Sequence, residues 1–251
     1  MLAHIDSPFV VFLVALVAQG LALLAGDFIR KHNHRFKQGE RHDFATVQAA
    51  TLTLLALIIG FSFSMAVSRY DQRKTLEEAE ANAIGTEYLR ADLLPGDLAL
   101  RTRDLLRKYL DQRIAFYEAG DEDAANEIRQ STANLQAELW SSVVPAAIPP
   151  TPIMALVIAG MNDVINAQGY TQAAWWNRIP IGGWAMMMLM AISSSALVGY
   201  GEHRKGSAIL FVLPVVVSIA LFLIADLDSP RRGVIRVHPY NLQATAQSIS
   251  H

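Results

Sequence analysis

LLALIIGFSFSMAVSRYDQRKTLEEAEANAIGTEYL, residues 54–89, opens as a lipid-soluble segment and closes as a charged one, with no proline between. No ionisable side chain lies between Leu54 and Ser68, whereas Arg69, Asp71, Arg73 and Lys74 begin a polar run that reaches Arg90. Proline would end a helix here by removing a donor and clashing with the preceding turn. Its absence predicts one unbroken helix that starts inside a bilayer and emerges into water.

Outward from that helix, four stretches contain no Asp, Glu, Lys, Arg or His: Pro8 to Gly26, Ala45 to Val67, Ile181 to Tyr200 and Ala208 to Ala225. A bilayer core asks for about 20 apolar residues in a helix, and each stretch meets or approaches that length. The chain therefore reads as an all-α membrane protein with four transmembrane helices and a helical extramembrane domain inserted between the second and third. The expected sections are 1–67 (helices one and two with the basic loop GDFIRKHNHRFKQGERHD), 68–178 (the helical domain, continuous with helix two), 179–227 (helices three and four) and 228–251 (a C-terminal tail). No Ser/Gly-rich linker and no internal repeat divides them, so they read as one folded unit. The leader MLAHIDS lacks the basic residues of a signal peptide, and the apolar run after it exceeds the usual length of about 7–15 residues. The first span is thus expected to be retained.

With no cysteine in 251 residues, disulfides and thiolate metal sites are excluded. A net charge of −2 gives no footing for nucleic acid.

The polar section is helical throughout. Leu98, Thr102, Leu105, Leu106, Tyr109, Arg113 and Phe116 fall on one face at helical spacing. Pro95-Gly96 turns the chain before this helix, Gly120 stops it, and Asp121 caps the next. Ile128, Thr132, Leu135 and Leu139 repeat the stripe. VPAAIPPTP, residues 144–152, breaks that helix. A last one, Ile153 to about Gln168, is apolar at Met154, Val157, Ile158, Met161, Val164 and Ile165. It is too short to span, so it packs in the domain or rests at the interface. Trp175, Trp176 and Trp184 are expected to anchor at the headgroup level. Met186, Met187, Met188 and Met190 read as lipid-facing or core packing.

Basic residues near the span ends do not orient the chain. Arg30, Lys31, Arg35, Lys37, Arg41, Arg204 and Lys205 on one side balance Arg69, Arg73, Lys74, Arg178, Arg231, Arg232 and Arg236 on the other. The first helix alone, with basic residues only after it, favours an outside N-terminus and an outside helical domain.

On the second span, Thr53, Leu57 and Phe61 recur every four residues, with Ser62 and Ser64 beside Phe61. Apolar rings at the narrow point of an oligomeric pore gate it by dewetting; ordinary helix packing yields the same stripe. GFSFSMAVSRYDQR, residues 60–73, resembles the second-helix neck of bestrophin ion channels. There a Gly-Phe pair is followed, eight residues after the Phe, by an Arg and an aromatic, and Phe61, Arg69 and Tyr70 keep that spacing. The longer IIGFSFSMAVSRYDQRKTLEEAEANAIGTEYLRADLLP, with ADLDSPRRGVIRV near the C-terminus, resembles a bacterial bestrophin-like membrane family.

The resemblance implies a homopentamer in the bacterial cytoplasmic (inner) membrane, with second helices lining a central path for permeant ions. It implies a neck of three apolar positions, which land on Thr53, Leu57 and Phe61. Thr53 departs from that pattern and leaves the constriction to Leu57 and Phe61. Bestrophins hold their helical domain in the cytosol, opposite to the first-helix charge argument. Animal bestrophins bind calcium on an acidic run after the last span. Here Asp226 and Asp228 are followed by Ser-Pro-Arg-Arg, so no calcium is expected.

Other signals each carry two readings. Arg69 either biases the path towards anions or snorkels at the interface. Ser62 and Ser64 either face the path or bond back to the helix. Glu77, Glu78, Glu80 and Glu87 form an acidic patch that Arg73 and Lys74 pair at i,i+4 spacing into a solvated face. In an oligomer, rings of the unpaired Glu80 and Glu87 would attract cations. Asp226 and Asp228 with Arg231 and Arg232 form a structural clasp or a lipid-phosphate site. His32, His34 and His42 lack carboxylates to complete a tetrahedral set, so no metal or other cofactor is expected. No catalytic set or phosphate loop is present, and no enzyme is expected. Two functions remain: an oligomeric ion channel with a hydrophobic neck, or a membrane-anchored helical sensor or scaffold that binds a ligand or partner through its polar domain.

Overall fold

The structure, a computed structural model, describes residues 7–32, 38–147, 151–201 and 208–250. The leader up to Asp6, His34, Arg35, Lys37, residues 148–150 of the proline-rich break, Arg204 and Lys205 lie outside them. Among the described residues the architecture is all-helical: α1 (Pro8–His32), α2 (Gln38–Arg90), α3 (Asp97–Glu118), α4 (Glu122–Val143), α5 (Pro152–Trp176), α6 (Ile181–Gly201), α7 (Val212–Asp228) and α8 (Tyr240–Ser248). Among the described residues four helical segments are long and apolar enough to cross a membrane: Pro8–His32, Ile209–Asp228, and windows within Arg41–Leu93 and Pro152–Gly201. The protein is a membrane protein of the expected fold class.

α2 is one unbroken helix of 53 residues. The chain forms two compact units, Met1–Ser68 with Arg178–Ile235 and Arg69–Asn177 with Arg236–His251, rather than the single one expected. The reason is physical. One boundary falls inside α2, and helical continuity leaves no linker composition to mark it.

In the first unit α1 packs along α6 and α7. The approach to α6 is at backbone distance. A Cβ at Gly26 would overlap the carbonyl of Ala196 and lie 2.9 Å from the Tyr200 nitrogen, and one at Gly199 would overlap the carbonyl of Leu23. Lipid is as apolar as leucine, so helices in a bilayer gain from such close packing and from hydrogen bonds between them. Gln19 supplies these bonds. Fully buried, it donates from Nε2 to Ser218 Oγ at 3.1 Å and accepts from Ser195 Oγ at 3.4 Å, linking α1 to α7 and α6.

In the second unit, α3, α4, α5, α8 and the charged half of α2 share one apolar core. Thr102, Leu105, Leu106, Tyr109, Arg113 and Phe116 all face it from α3. Gly96, at φ 53°, takes a positive-φ conformation open to glycine at the N-cap of α3. Asp121 accepts from the Ala124 N–H at 2.8 Å and caps α4, as expected, while Thr151 caps α5 by accepting from Met154 N–H at 3.1 Å.

Three expectations change here. α5 continues past Gln168 to Trp176, because no proline or glycine pair stops it. Trp175 is buried against Phe116 and Tyr117, with ring centroids 5.0 and 5.5 Å away, instead of anchoring at the headgroups; Trp176 is exposed. The end of the chain is more than a tail, since Leu242 of α8 and Ile249 just after it join the helical core.

Candidate functional site: the two halves of the long helix

Within the first unit, the apolar half of α2 is covered along one side only. Leu55 and Ala66 are buried, with Ile59 and Ser62 half-buried between them. At 100° per residue these four share a side, and Thr53, Leu57, Gly60, Phe61 and Ser64 fill a sector of about 100° opposite. Leu57 is 51% and Phe61 67% exposed. Thr53, Leu57, Phe61 and Ser64 thus fall together, while Ser62 belongs to the covered side. Thr53 Oγ1 donates to the Ala49 carbonyl at 2.9 Å, which satisfies its hydroxyl within the helix. Arg69, the first residue of the second unit, is half-buried.

The charged half of α2 is not the solvated face expected from i,i+4 pairing. Arg73, Glu77, Glu80 and Glu87 are all buried, and only Glu78 of the acidic patch is exposed. Spacing along one helix says nothing of what a neighbouring helix offers, and here the neighbours supply the partners. Arg73 donates from Nε to the Ala174 carbonyl at 3.3 Å. Glu77 accepts from the Asn241 and Leu242 N–H groups, both at 2.9 Å, at the first turn of α8. At the other end of α8, Arg107 Nη2 donates to the Ile249 carbonyl at 2.8 Å. A negative charge thus meets the N-terminus and a positive one the C-terminus, the favourable sense for a helix dipole.

Glu80, expected to be unpaired, is bonded to Arg113 through Nε and, at 3.3 Å, through Nη2, and to Thr171 Oγ1 at 3.1 Å. The attraction and hydrogen bonding of Glu80 hold the Arg113 guanidinium above its ordinary pKa despite the opposing effect of burial. Burial first, then the charge of Glu80, pushes the phenols of Tyr109 and Tyr117 up, so both stay protonated. Glu87 is enclosed as well, and neither Glu80 nor Glu87 presents a free carboxylate to solvent.

At the expected clasp, backbone N–H groups donate to both aspartates. Asp226, 1% exposed, accepts from the Val234 and Ile235 N–H groups at 2.6 and 2.8 Å. Gly233 makes room, since a Cβ there would stand 2.6 Å from the Asp226 carbonyl oxygen. Asp228 accepts from the Ile179 N–H at 3.0 Å, Arg231 is buried and Arg232 is exposed. Nothing in the sequence pointed to these backbone donors.

A cleft of about 430 Å³ opens in the second unit between α2 and the segment leading into α8. Tyr70, Asp71, Lys74, Glu78, Arg236, His238 and Tyr240 line it. Lys74 Nζ lies 5.9 Å from the Tyr70 ring centroid. Among the described residues no group of three or more His, Cys, Asp or Glu could hold a metal ion. His32 stacks on Phe28 at 4.2 Å.

A profile of the bestrophin-like domain matches residues 11–242. No curated protein matches significantly. Among solved structures, a bacterial bestrophin homologue from Klebsiella pneumoniae determined by zinc anomalous phasing is similar at 13% identity and TM-score 0.62, over 96% of this chain and 95% of that one. Two single-site variants described as the same homologue give TM-scores of 0.63 and 0.65 at 12% identity, over 95% and 96% of this chain and 94% and 93% of theirs. These likenesses extend the fold, and the profile covers nearly the whole chain, including both halves of α2: the protein belongs to the bestrophin-like family.

Proposed function

We propose that the protein is an ion channel in which several copies, five by family resemblance, set their α2 helices around a common axis in the bacterial inner membrane. One observation carries this reading. The α2 span is the least covered by its own chain, 11% buried against 39% for the fourth, and its open side mixes Leu57 and Phe61 with Thr53, Gly60 and Ser64. A side facing only lipid has no use for small and hydroxylated residues. A side facing copies of itself across a narrow path uses them beside apolar rings. Leu57 and Phe61 form the constriction, Thr53 and Ser64 flank it, and Arg69 follows where the apolar half ends. Purified protein in planar bilayers should give unitary currents, and Leu57→Ala or Phe61→Ala should raise resting conductance. Silence from the wild type and both variants over a broad range of voltage and pH would overturn the reading.

A second reading, a membrane-anchored sensor or scaffold, is favoured by the mixed-charge cleft at Lys74, Asp71, Glu78 and Arg236. A monomeric or dimeric particle without conductance, which binds a small charged ligand at that cleft, would favour it over the channel.

A further inference from the structure

Glu87 lacks what Glu80 has. Its residue is 0% exposed, and neither carboxylate oxygen has a hydrogen-bond partner among the described residues. Gly160 of α5 closes over it: a Cβ at that position would overlap Glu87 Oε2 and the Arg90 guanidinium. Two charges bear on the carboxylate. Arg90, on the same helix, holds Nη1 3.8 Å from Oε2, beyond hydrogen-bonding distance, and its side chain is 28% exposed, so solvent screens it. Asp163, one turn beyond Gly160 on α5, repels a negative charge there. Arg103 of α3 is engaged elsewhere, with Asp92 and the Tyr88 carbonyl. A carboxylate stripped of water, with no hydrogen bond and a single solvent-screened cation beside it, is costly to keep charged, and a bound proton removes that cost.

We propose that Glu87 is a proton-binding site, held as the neutral acid beneath Gly160, and that loss of this proton loosens the contact between α2 and α5. Burial, reinforced by Asp163 and opposed by Arg90, pushes the Glu87 carboxyl up to about 8. The unfolded chain releases the same proton near 4.5. Folded protein therefore binds one proton more than unfolded protein between these values. The contribution to stability is fully present below about 4.5, declines as pH rises, and is lost once pH passes about 8. The absence of a side chain at Gly160 lets α5 approach closely enough to exclude water.

The test uses the full chain in detergent, with infrared spectra and thermal melts from about pH 6 to about pH 9, an interval that brackets the titration. Wild type should show the carbonyl stretch of a protonated carboxylic acid at the acid end, half lost near the middle of the alkaline range. Its melting temperature should fall over the same interval. Glu87→Gln, neutral at every pH, should lack that band and melt with a flatter pH dependence. Asp163→Asn changes an exposed residue and removes the repulsion, so it should lower the half-titration point. The assignment is overturned if no carboxylic acid band titrates in the wild type, if Glu87→Gln retains it, or if Asp163→Asn leaves its midpoint in place.

Discussion

The two units bury polar groups by different means. In the first, the polar groups enclosed between the apolar spans are neutral: Gln19, Ser195 and Ser218 bridge three helices, and Gly26 and Gly199 bring α1 and α6 to backbone contact. Among its described residues, charge is enclosed only from Asp226 onward, at the end of α7. In the second, charges are enclosed within the helical core itself: Glu80 is locked to Arg113 and Glu77 to the start of α8, while the exposed Arg107 reaches its end. The difference follows from solvent. A segment bounded by lipid cannot recruit water for a stray charge, so it spends small and neutral polar residues. A segment bounded by water can bury charges where partners are geometrically complete, and it loses heavily when one partner is removed.

Removing Arg113 should therefore have the largest effect. Arg113→Met leaves Glu80 enclosed and unpaired and should cost about 3–5 kcal/mol. Thermal melts followed by circular dichroism should show the loss, and Arg113→Met with Glu80→Leu should recover much of it. If the single variant melts like wild type, charge pairing does not hold this unit.

Next comes Gly199→Val, whose Cβ would overlap the Leu23 carbonyl. Overpacking of this kind costs about 1–3 kcal/mol. Hydrogen exchange should report faster opening of α1 and α6 while α3 and α4 keep their protection. Equal loosening of all four helices would erase the distinction between the units.

Glu77→Ala should have the smallest effect, about 1–2 kcal/mol, in line with the loss of a helix cap. Exchange over Tyr240–Ser248 should accelerate with little change elsewhere. Unaltered exchange there would mean that apolar contact through Leu242 alone secures α8.

Much of the fold was legible because it rests on local patterning. The charge-free stretches mark the spans, the stripe from Thr102 to Phe116 matches the buried face of α3, and Asp121 caps where predicted. What resisted reading is non-local. The pairing of Glu77 with Asn241 crosses 164 residues and that of Glu80 with Arg113 crosses 33, so intrahelical spacing suggested a solvated face in place of a buried one. The clasp at Asp226 uses backbone N–H groups, which every sequence carries and none advertises. Along the apolar half of α2 the residues of the four-residue recurrence, Thr53, Leu57 and Phe61, are all exposed, whereas Ser62, adjacent to Phe61 in sequence, turns to the covered side.

Whether that open side faces copies of itself is the central claim, and the chain's lack of cysteine allows a direct test. Leu57→Cys, oxidised in native membranes, should yield covalent dimers, because each thiol would find another across a narrow axis. Leu21→Cys, an exposed position on α1, should remain monomeric. Monomers alone from Leu57→Cys, under conditions that oxidise exposed thiols, would contradict the account.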